Sequence, residues 1–249
     1  MTRLVTYNVH RCVGTDRRLD LGRIVEVLAA CEADVICLQE LDVGRARTGG
    51  TDQAQAIADR LAMDMHFHAA LTVETEQYGD AILTRLPERL VRKARLPILK
   101  GVPGLEPRGA LWVTVEVEGH PVHILNTHLG LVPREQHLQA EALIGPLWLG
   151  HPQCTGPTIL AGDFNVTSIS RTYGILCSRL TDAQRRIGLQ PTVKTFPSGF
   201  PTLRIDHAFV SAQVDILGIS APLDARARSA SDHLPLVMDF RVSAADGAA

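Results

Sequence analysis

Residues 158–168, TILAGDFNVTS, join an apolar run to side chains that could do phosphate chemistry. The run 158–161 has the length and composition of a buried strand, and the chain then breaks at Gly162 and presents Asp163 and Asn165. Oxygen and amide groups of this kind bind hard divalent cations and phosphate oxygens. An Asx turn that only closes the strand is the structural alternative. The other strand ends of the chain help to decide between the two interpretations.

Six further polar residues of similar chemistry lie at the ends of predicted strands. Each has an ordinary explanation when taken singly, such as closing a turn or satisfying the edge of the core. Together with the GDFN segment they supply the residue types that a metal and phosphate site requires. The six are Asn8, Glu40, His128, Asp206, Asp232 and His233.

The stretches that carry these residues resemble the endonuclease/exonuclease/phosphatase superfamily, the DNase I-like phosphohydrolases. The matching stretches are YNVH, LQELD, YGDAILTR, NTHLG, GDFN, IDHAFVS and SDHLPL, which follow one another in that family's order from residue 7 to residue 236. GDFN followed later by SDH is the most specific part. The resemblance implies an α/β (α+β) fold: a four-layered α/β/β/α sandwich of two mixed, largely antiparallel sheets, with the active site at one sheet edge.

The resemblance also implies a Mg²⁺ cofactor, for which Mn²⁺ could substitute. Glu40 matches the principal carboxylate ligand of the metal, and Asn8 matches the asparagine beside it. Asp232 lies at the ligand position that precedes a matching histidine. Some nuclease members carry an acid two residues after the first asparagine, where this chain has His10, so the occupancy of a second metal site stays open.

The remaining matches imply hydrolysis by a water that Asp163 orients and deprotonates. Asn165 matches the amide that holds the reacting phosphoryl group, and His233 matches the histidine that contacts a phosphoryl oxygen. Asp206 matches the carboxylate that orients and charges that histidine. His128 matches a phosphate-contacting histidine found in one branch of the family.

These residue types suit phosphodiester hydrolysis, which places a water in line with a leaving oxygen while negative charge builds on the phosphoryl oxygens. A cation on Glu40 would offset that charge, and its proximity would keep Asp163 ionised as a base. A histidine paired with an aspartate favours the imidazolium form, which supplies both charge and a donor. Arg108 and Arg134 are candidates for outer phosphate contacts, with a role as ordinary surface arginines as the alternative.

Many short strands and a few helices must hold these residues in place, which favours extensive antiparallel pairing. Helices are predicted after an N-cap at Asp20, from near Thr51, from Pro133 to about Ile144, and over residues 170–177. A hairpin turn is predicted at Glu118, and residues 204–210 are expected to pair with residues 214–219. The other predicted strands are residues 4–8, 34–38, 66–73, 80–84, 89–96, 109–117, 121–126, 158–161 and 235–242.

Composition predicts one monomeric domain, residues 1–243, followed by a disordered tail, residues 244–249. Hydrophobic content of 45% and charged content of 21% are typical of a soluble globular protein. The N-terminus turns polar after a few residues, and no apolar window approaches 18 residues, so no integral membrane segment is expected. The 5 cysteines form no CxxC pair, which indicates reduced thiols in a cytoplasmic protein.

The net charge of −2 and the aromatic content of 4% favour a small or lipid-derived phosphoester, most simply a phosphodiester, as the substrate. A DNA or RNA nuclease is the alternative. Residues 85–108 hold seven Lys or Arg against two Glu, and residues 171–194 hold five basic residues against one Asp, so either stretch could bind nucleic acid. A catalytically inactive binding module is a third hypothesis, although such a module usually loses some of the polar residues that this chain retains.

Overall fold

The computed structural model describes residues 1–243, within which twelve strands form two six-stranded sheets. Six α-helices accompany them: α1 (Leu21–Cys31), α2 (Gln53–Leu61), α3 (Pro133–Ile144), α4 (Arg171–Cys177), α5 (Ala183–Arg186) and α6 (Ala225–Ala230). The strands are β1 (Thr2–Asn8), β2 (Val35–Val43), β3 (Asp64–Val73), β4 (Glu76–Thr84), β5 (Glu88–Arg95), β6 (Gly109–Val117), β7 (His120–His128), β8 (Thr158–Asp163), β9 (Thr181–Asp182), β10 (Asp206–Val210), β11 (Val214–Ser220) and β12 (Leu236–Val242).

Each sheet contains one parallel pair of strands among antiparallel neighbours. Sheet 1 has the order β11-β12-β1-β2-β4-β3, with β1 parallel to β2, and sheet 2 has the order β5-β6-β7-β8-β10-β9, with β7 parallel to β8. Parallel strands end at the same sheet edge, so Asn8 lies opposite Gln39 and His128 lies opposite Asp163. This pairing brings the polar residues at four strand ends to one side of the molecule.

Alternating side chains build an apolar core on both faces of each sheet. Leu4 of β1 belongs to the core between the sheets, whereas its neighbour Val5 packs on the helical side, where Leu28 of α1 and Ile57 of α2 are buried. On the outer face of sheet 2, Trp112 belongs to a third cluster with side chains of α3 and α4. The predicted four-layered sandwich of two mixed, largely antiparallel sheets is confirmed.

Several local predictions are also confirmed. Asp20 caps α1 by accepting a hydrogen bond from the Arg23 N–H at 3.1 Å, and Pro133 occupies the first turn of α3. The predicted hairpin turn joins β6 to β7 with positive φ at both Glu118 and Gly119, 53° and 82°. Short elements such as α5, α6 and β9 had no predicted counterpart, because so few residues show no usable periodicity.

The predicted pairing of residues 204–210 with residues 214–219 is wrong. β10 pairs with β8 and β9 in sheet 2, whereas β11 pairs with β12 in sheet 1. Val210 and Val214 both bury their side chains in the core between the sheets, so their strands lie on opposite sides of that core. A close spacing in sequence therefore reflects a crossover from one sheet to the other.

The predicted tail, residues 244–249, lies outside the described residues. Within residues 1–243 no helix combines the length and the apolar character that crossing a bilayer requires. All 5 cysteines are free thiols, and Cys12, Cys31 and Cys37 are buried.

A buried ion pair fastens the segment before β10 to the end of sheet 2. The Arg204 guanidinium donates to both carboxylate oxygens of Asp182, at 3.0 and 2.8 Å, and His207 Nδ1 lies 3.3 Å from the same carboxylate. Burial raises the pKa of Asp182, but the hydrogen bond from His207 and the charge of Arg204 outweigh burial and hold that pKa at about 2.

We expect this ion pair to make the free energy of unfolding depend on pH in the acidic range. The pKa of Asp182 in the folded protein lies below its ordinary value. Its contribution to the free energy of unfolding, about 2 kcal/mol, is therefore complete above roughly pH 4 and is lost as the pH falls toward 2. Urea unfolding between pH 5 and pH 2.5 measures this loss, and Asp182→Asn should show a shallower decline than the parent. Parallel declines in the two proteins would contradict the assignment.

Candidate active site

Seven of the predicted site residues line one cleft of about 550 Å³. Asn8 and Asp206 are buried beside it, with 1% and 0% exposure, and each is hydrogen-bonded to a residue of the lining. Arg134 is not brought to the cleft: it lines a separate depression together with His137 and Glu141. The predicted residues of the lining are Glu40, Arg108, His128, Asp163, Asn165, Asp232 and His233.

Glu40 reaches the cleft because β2 is irregular at this point. The register between β2 and β4 shifts between Leu38 and Leu41, and Glu40 has a φ of 62°. Such a β-bulge turns one side chain out of the alternating pattern. Gln39 is thereby directed into hydrogen bonds between the sheets, while the Glu40 carboxylate accepts a hydrogen bond of 3.0 Å from Asn8 Nδ2.

Asp163 and Asn165 form an Asx turn and also lie in the cleft, so the two interpretations of this segment are compatible. The Asn165 N–H donates to Asp163 Oδ1 at 2.9 Å, and Asn165 has a φ of 53°. Asn8 Nδ2 donates to the other oxygen, Oδ2, at 3.0 Å. Burial raises the pKa of Asp163 to about 7, close to the pH at which a general base is most effective.

Gly162 allows this loop to pass close to the neighbouring strand. Its φ is 151°, in the region that favours glycine, and a Cβ at this position would collide with the backbone oxygen of Thr127. Any larger residue would push β8 away from β7 and displace the carboxylate of Asp163 that follows.

His233 is held between two carboxylates. Its Nδ1 lies 2.9 Å from Asp206 Oδ2, which also accepts a hydrogen bond from the Thr195 hydroxyl, and its Nε2 lies 3.6 Å from Asp163 Oδ2. Burial alone lowers the pKa of His233, but the charges of Asp206 and Asp163 raise it to about 10. The ring is therefore an imidazolium that presents positive charge and an N–H to the cleft.

Asp163, Asp206 and His233 lie close together and contact one another. Their ligand atoms lie within 4.8 Å of one another, a spacing that could also hold a cation. In the present arrangement His233 Nδ1 is bonded to Asp206 Oδ2, and His233 Nε2 faces Asp163 Oδ2 at 3.6 Å. This cluster is better suited to bind an anionic phosphoryl oxygen next to a buried carboxylate.

His128 is neutral and lies between two side-chain donors. The Arg108 guanidinium lies 3.1 Å from His128 Nδ1 and the Asn165 amide nitrogen lies 3.0 Å from Nε2, so the neutral ring, which carries one proton, accepts from one of them. Burial and the Arg108 charge keep the pKa of His128 well below its ordinary value. Nε2 also lies 3.5 Å from Asp163 Oδ2, so the ring of His128 is enclosed by Arg108, Asn165 and Asp163.

The residues around Glu40 fit a hard divalent cation. The other charged side chains nearby are paired elsewhere, Arg47 with Asp42 at 2.7 Å and Arg108 with Glu106 at 3.0 Å, whereas Glu40 accepts one hydrogen bond from an amide. Carboxylate and amide oxygens are the ligands that Mg²⁺ accepts in proteins. Glu40 and Asp232 are the carboxylates of the cleft that suit such an ion. Asn8 Oδ1 accepts the His10 N–H at 3.0 Å and its Nδ2 faces Glu40, so Asn8 could offer an oxygen to the ion only if its amide turned over.

His10 offers no free nitrogen for a second cation. Its Nδ1 lies 3.1 Å from the Val13 carbonyl oxygen and donates to it, and its Nε2 accepts from the Arg11 guanidinium at 2.6 Å. Three consecutive residues here, His10, Arg11 and Cys12, have positive φ, which fixes the turn that carries them. At this position, where an acid would bind a metal, the chain has a fully hydrogen-bonded histidine.

The cleft also contains residues to which the sequence assigned no site role. Tyr78 and Ile205 begin the matching stretches YGDAILTR and IDHAFVS, whereas the others come from segments without a recognisable pattern. These residues are Arg11, Arg47, Tyr78, Glu106, Leu131, Phe196, Leu203 and Ile205.

Known proteins are similar to this chain over nearly its full length. The protein YbhP of Escherichia coli strain K12 is 26% identical over 251 residues, covering 96% of each chain. The crystal structure of an endonuclease/exonuclease/phosphatase from Beutenbergia cavernae is 25% identical, with a TM-score of 0.76 over 99% of this chain and 73% of that one.

A mannosyl-6-phosphatase of Bacteroides thetaiotaomicron is 19% identical, with a TM-score of 0.72 over 97% of this chain and 100% of that one, a likeness of fold. The sequence model of the Endonuclease/Exonuclease/phosphatase family matches residues 5–233 of this chain. These residues include every residue of the cleft described above. The chain belongs to the endonuclease/exonuclease/phosphatase family.

Proposed function

We propose that this protein is a Mg²⁺-dependent hydrolase that cleaves a compact phosphoester, most simply a phosphodiester. The members of its family are hydrolases that act on phosphoesters. The observation that carries the proposal is that three charged side chains of different character line one cleft. They are the carboxylate of Glu40, which accepts a hydrogen bond from an amide, the buried carboxylate of Asp163, and the imidazolium of His233. These are the parts that in-line attack of water on a phosphoryl group needs.

In this proposal Glu40 holds the metal together with Asn8 and Asp232. When bound, Mg²⁺ supplies positive charge that offsets the negative charge building on the phosphoryl group and its leaving oxygen. Asp163, held by hydrogen bonds from two asparagines, takes the proton of the attacking water. Oδ2 is the oxygen of Asp163 assigned to receive this proton, because it faces the two histidines of the cleft.

Donors on the other side of Asp163 would stabilise the phosphoryl oxygens. His233 supplies charge and an N–H, Asp206 orients its ring, and His128 is a neutral ring held in the cleft between Arg108 and Asn165. Asn165 donates to the Leu129 carbonyl oxygen at 3.0 Å, which holds its amide in the cleft beside His128. Preorganised donors of this kind stabilise developing charge without further reorganisation.

The position of the basic residues supports a compact substrate. Of the seven Lys and Arg between residues 85 and 108, Arg108 is the one that lines the cleft. Arg92, Lys93 and Arg95 lie on β5, at the far edge of sheet 2 from β10. A nuclease nevertheless has one observation in its favour, since Arg11 and Arg47 line the cleft and could contact further phosphates.

A substrate screen with Mg²⁺ and with a chelator tests the proposal. It includes phosphomonoesters, small phosphodiesters, lipid phosphodiesters and nucleic acids, each at several salt concentrations. We expect metal-dependent hydrolysis of a compact ester with a shallow salt dependence. Hydrolysis of DNA or RNA that falls steeply with salt would assign the nuclease alternative instead, because many phosphate contacts release many counterions. Substrate binding without turnover would favour the inactive module.

Replacing Glu40 with Gln is expected to weaken Mg²⁺ binding at least about tenfold, because the neutral amide lacks the charge that attracts the cation. Calorimetric titration with Mg²⁺ measures the affinity, and the Mg²⁺ dependence of the rate gives a second value. Glu26→Gln, at an exposed position on α1, is the matched control. Unchanged Mg²⁺ affinity in Glu40→Gln, or full activity of that variant in chelator, would contradict the assignment.

A further inference from the structure

The cleft points to a substrate with an aliphatic chain attached close to its scissile phosphate, and we propose that an apolar wall of the cleft binds this chain. This inference rests on the phosphoester hydrolysis proposed above and names the substrate class. The apolar wall consists of Leu131, Phe196, Leu203 and Ile205, all of which line the cleft.

The two sides of the cleft differ in polarity. The residues that sheet 1 and its loops contribute are polar, charged or a buried tyrosine: His10, Arg11, Glu40, Arg47, Tyr78, Asp232 and His233. The loops that flank the strands of sheet 2 contribute the apolar wall in addition to polar groups: Glu106, Arg108, His128, Asp163 and Asn165. A substrate that fits both sides is charged at one end and apolar at the other.

The apolar wall is open to solvent where a ligand would enter. Leu131 is 72% exposed and Leu203 is 44% exposed, while Ile205 behind them is 8% exposed. Single exposed leucines are common on protein surfaces, but here they line a concave site together with the half-buried Phe196 and the buried Ile205. Covering them with an alkyl chain would remove apolar surface from water, which is favourable by about 0.8 kcal/mol for each fully buried methylene.

The wall is rigid and directly adjoins the reacting groups. Phe196 and Leu203 form an isolated antiparallel bridge, with N–O distances of 3.2 and 2.8 Å. The Ser198 N–H between them donates to the Asp232 carbonyl oxygen at 2.7 Å, which ties this hairpin to the loop of His233. The Phe196 ring lies 4.8 Å from the His233 ring, so an alkyl group on this wall would sit beside a phosphate held by His233.

An aliphatic chain suits the wall better than a nucleobase does. Three of the four side chains are aliphatic, and the ring of Phe196 is already packed against His233. The other aromatic residue of the cleft, Tyr78, is 4% exposed and has the Arg47 guanidinium 5.5 Å from its ring centre. Binding of single-stranded nucleic acid relies on aromatic faces on which bases can stack, and this cleft presents no open pair of them within residues 1–243.

Two series of monomeric esters test the inference: methyl, butyl and hexyl phosphate, and the corresponding alkyl methyl phosphodiesters. Hydrolysis with Mg²⁺ is followed by phosphorus NMR, which needs no apolar reporter group. We expect kcat/KM to rise by at least about tenfold from the methyl to the hexyl ester in the series that the enzyme cleaves. Calorimetric binding of methylphosphonate and hexylphosphonate gives a readout that does not depend on turnover, and hexylphosphonate should bind more tightly.

Polar variants of the apolar wall distinguish a loss of alkyl-chain binding from a general loss of activity. Leu131→Ser and Leu203→Ser should each flatten the chain-length dependence and leave the rate on the methyl ester within about threefold of the parent. Leu147→Ser is the matched control, because Leu147 is 55% exposed and does not line the cleft. The control should keep the full chain-length dependence.

Equal kcat/KM values along both series, or phosphonate affinities that do not change with chain length, would contradict the inference that the apolar wall binds an aliphatic chain. Either result would leave the proposed function intact. A preference for a methyl ester of thymidine phosphate over the hexyl ester would also overturn it. Absence of metal-dependent hydrolysis of every ester would overturn the proposed function, and this inference with it.

Discussion

Replacing Asp163 with Asn is expected to lower kcat by about a thousandfold or more while the fold stays intact. Asparagine has the same size, and its Oδ1 can still accept the N–H of Asn165, which is 2.9 Å from Asp163 Oδ1 in the parent. It cannot take a proton from water at neutral pH, and loss of a general base typically costs between about a hundredfold and ten-thousandfold. The buried position between Asn8 and two histidines leaves no other carboxylate in the same place.

The measurement is steady-state hydrolysis of the best substrate from the screen with saturating Mg²⁺. Asp64→Asn, at an exposed position of β3, is the matched control and should keep the parent rate. Thermal unfolding of both variants shows whether the fold is retained. A kcat of Asp163→Asn within tenfold of the parent would rule out Asp163 as the base.

His233→Ala is expected to lower kcat by about a hundredfold to a thousandfold, the usual cost of losing a donor that stabilises transition-state charge. Asp206 does not reach the cleft itself, since it is 0% exposed and its Oδ2 bonds to His233 Nδ1 and to Thr195. Asp206→Asn should therefore lose much of the same stabilisation. The double variant should be little worse than His233→Ala alone.

A double-mutant cycle of these three variants measures the coupling between the two residues. His120→Ala, at an exposed position, controls for the loss of an imidazole as such. Losses in the logarithm of kcat that simply add would show that Asp206 and His233 act independently, contrary to the hydrogen bond between them. A kcat of His233→Ala within tenfold of the parent would show that this histidine does not stabilise the transition state.

The strand ends that carry the site could be predicted because their signals are local. A buried apolar run followed by a polar pair, as in residues 158–165, marks a strand and the group it presents. The structure brings Asn8, Glu40 and Asp163 together, as the resemblance to the family implied. The roles of these residues, the one-domain organisation, the monomeric state and the cytoplasmic location stay predictions.

Other features depend on distant residues and had no local signal. The contact of Arg108 with His128 arises because β6 and β7 pair with Ala110 opposite Thr127, a register that the side chains alone do not specify. The pairing of β11 depends on which sheet offers it an unpaired edge strand, and that strand is β12 of sheet 1. The apolar wall is built from separate loops, whose few leucines look like ordinary surface residues in the sequence.

The position of β5 gives its positive charges a role apart from substrate. β5 is the outermost strand of sheet 2, so within residues 1–243 one side of its backbone has no neighbouring strand. Arg89, Lys93 and Arg95 on this strand are exposed. An open strand edge invites the edge of a second copy to add to it, and like charges along the edge oppose that addition. We expect the positive charges of β5 to oppose aggregation of the protein through this edge of sheet 2.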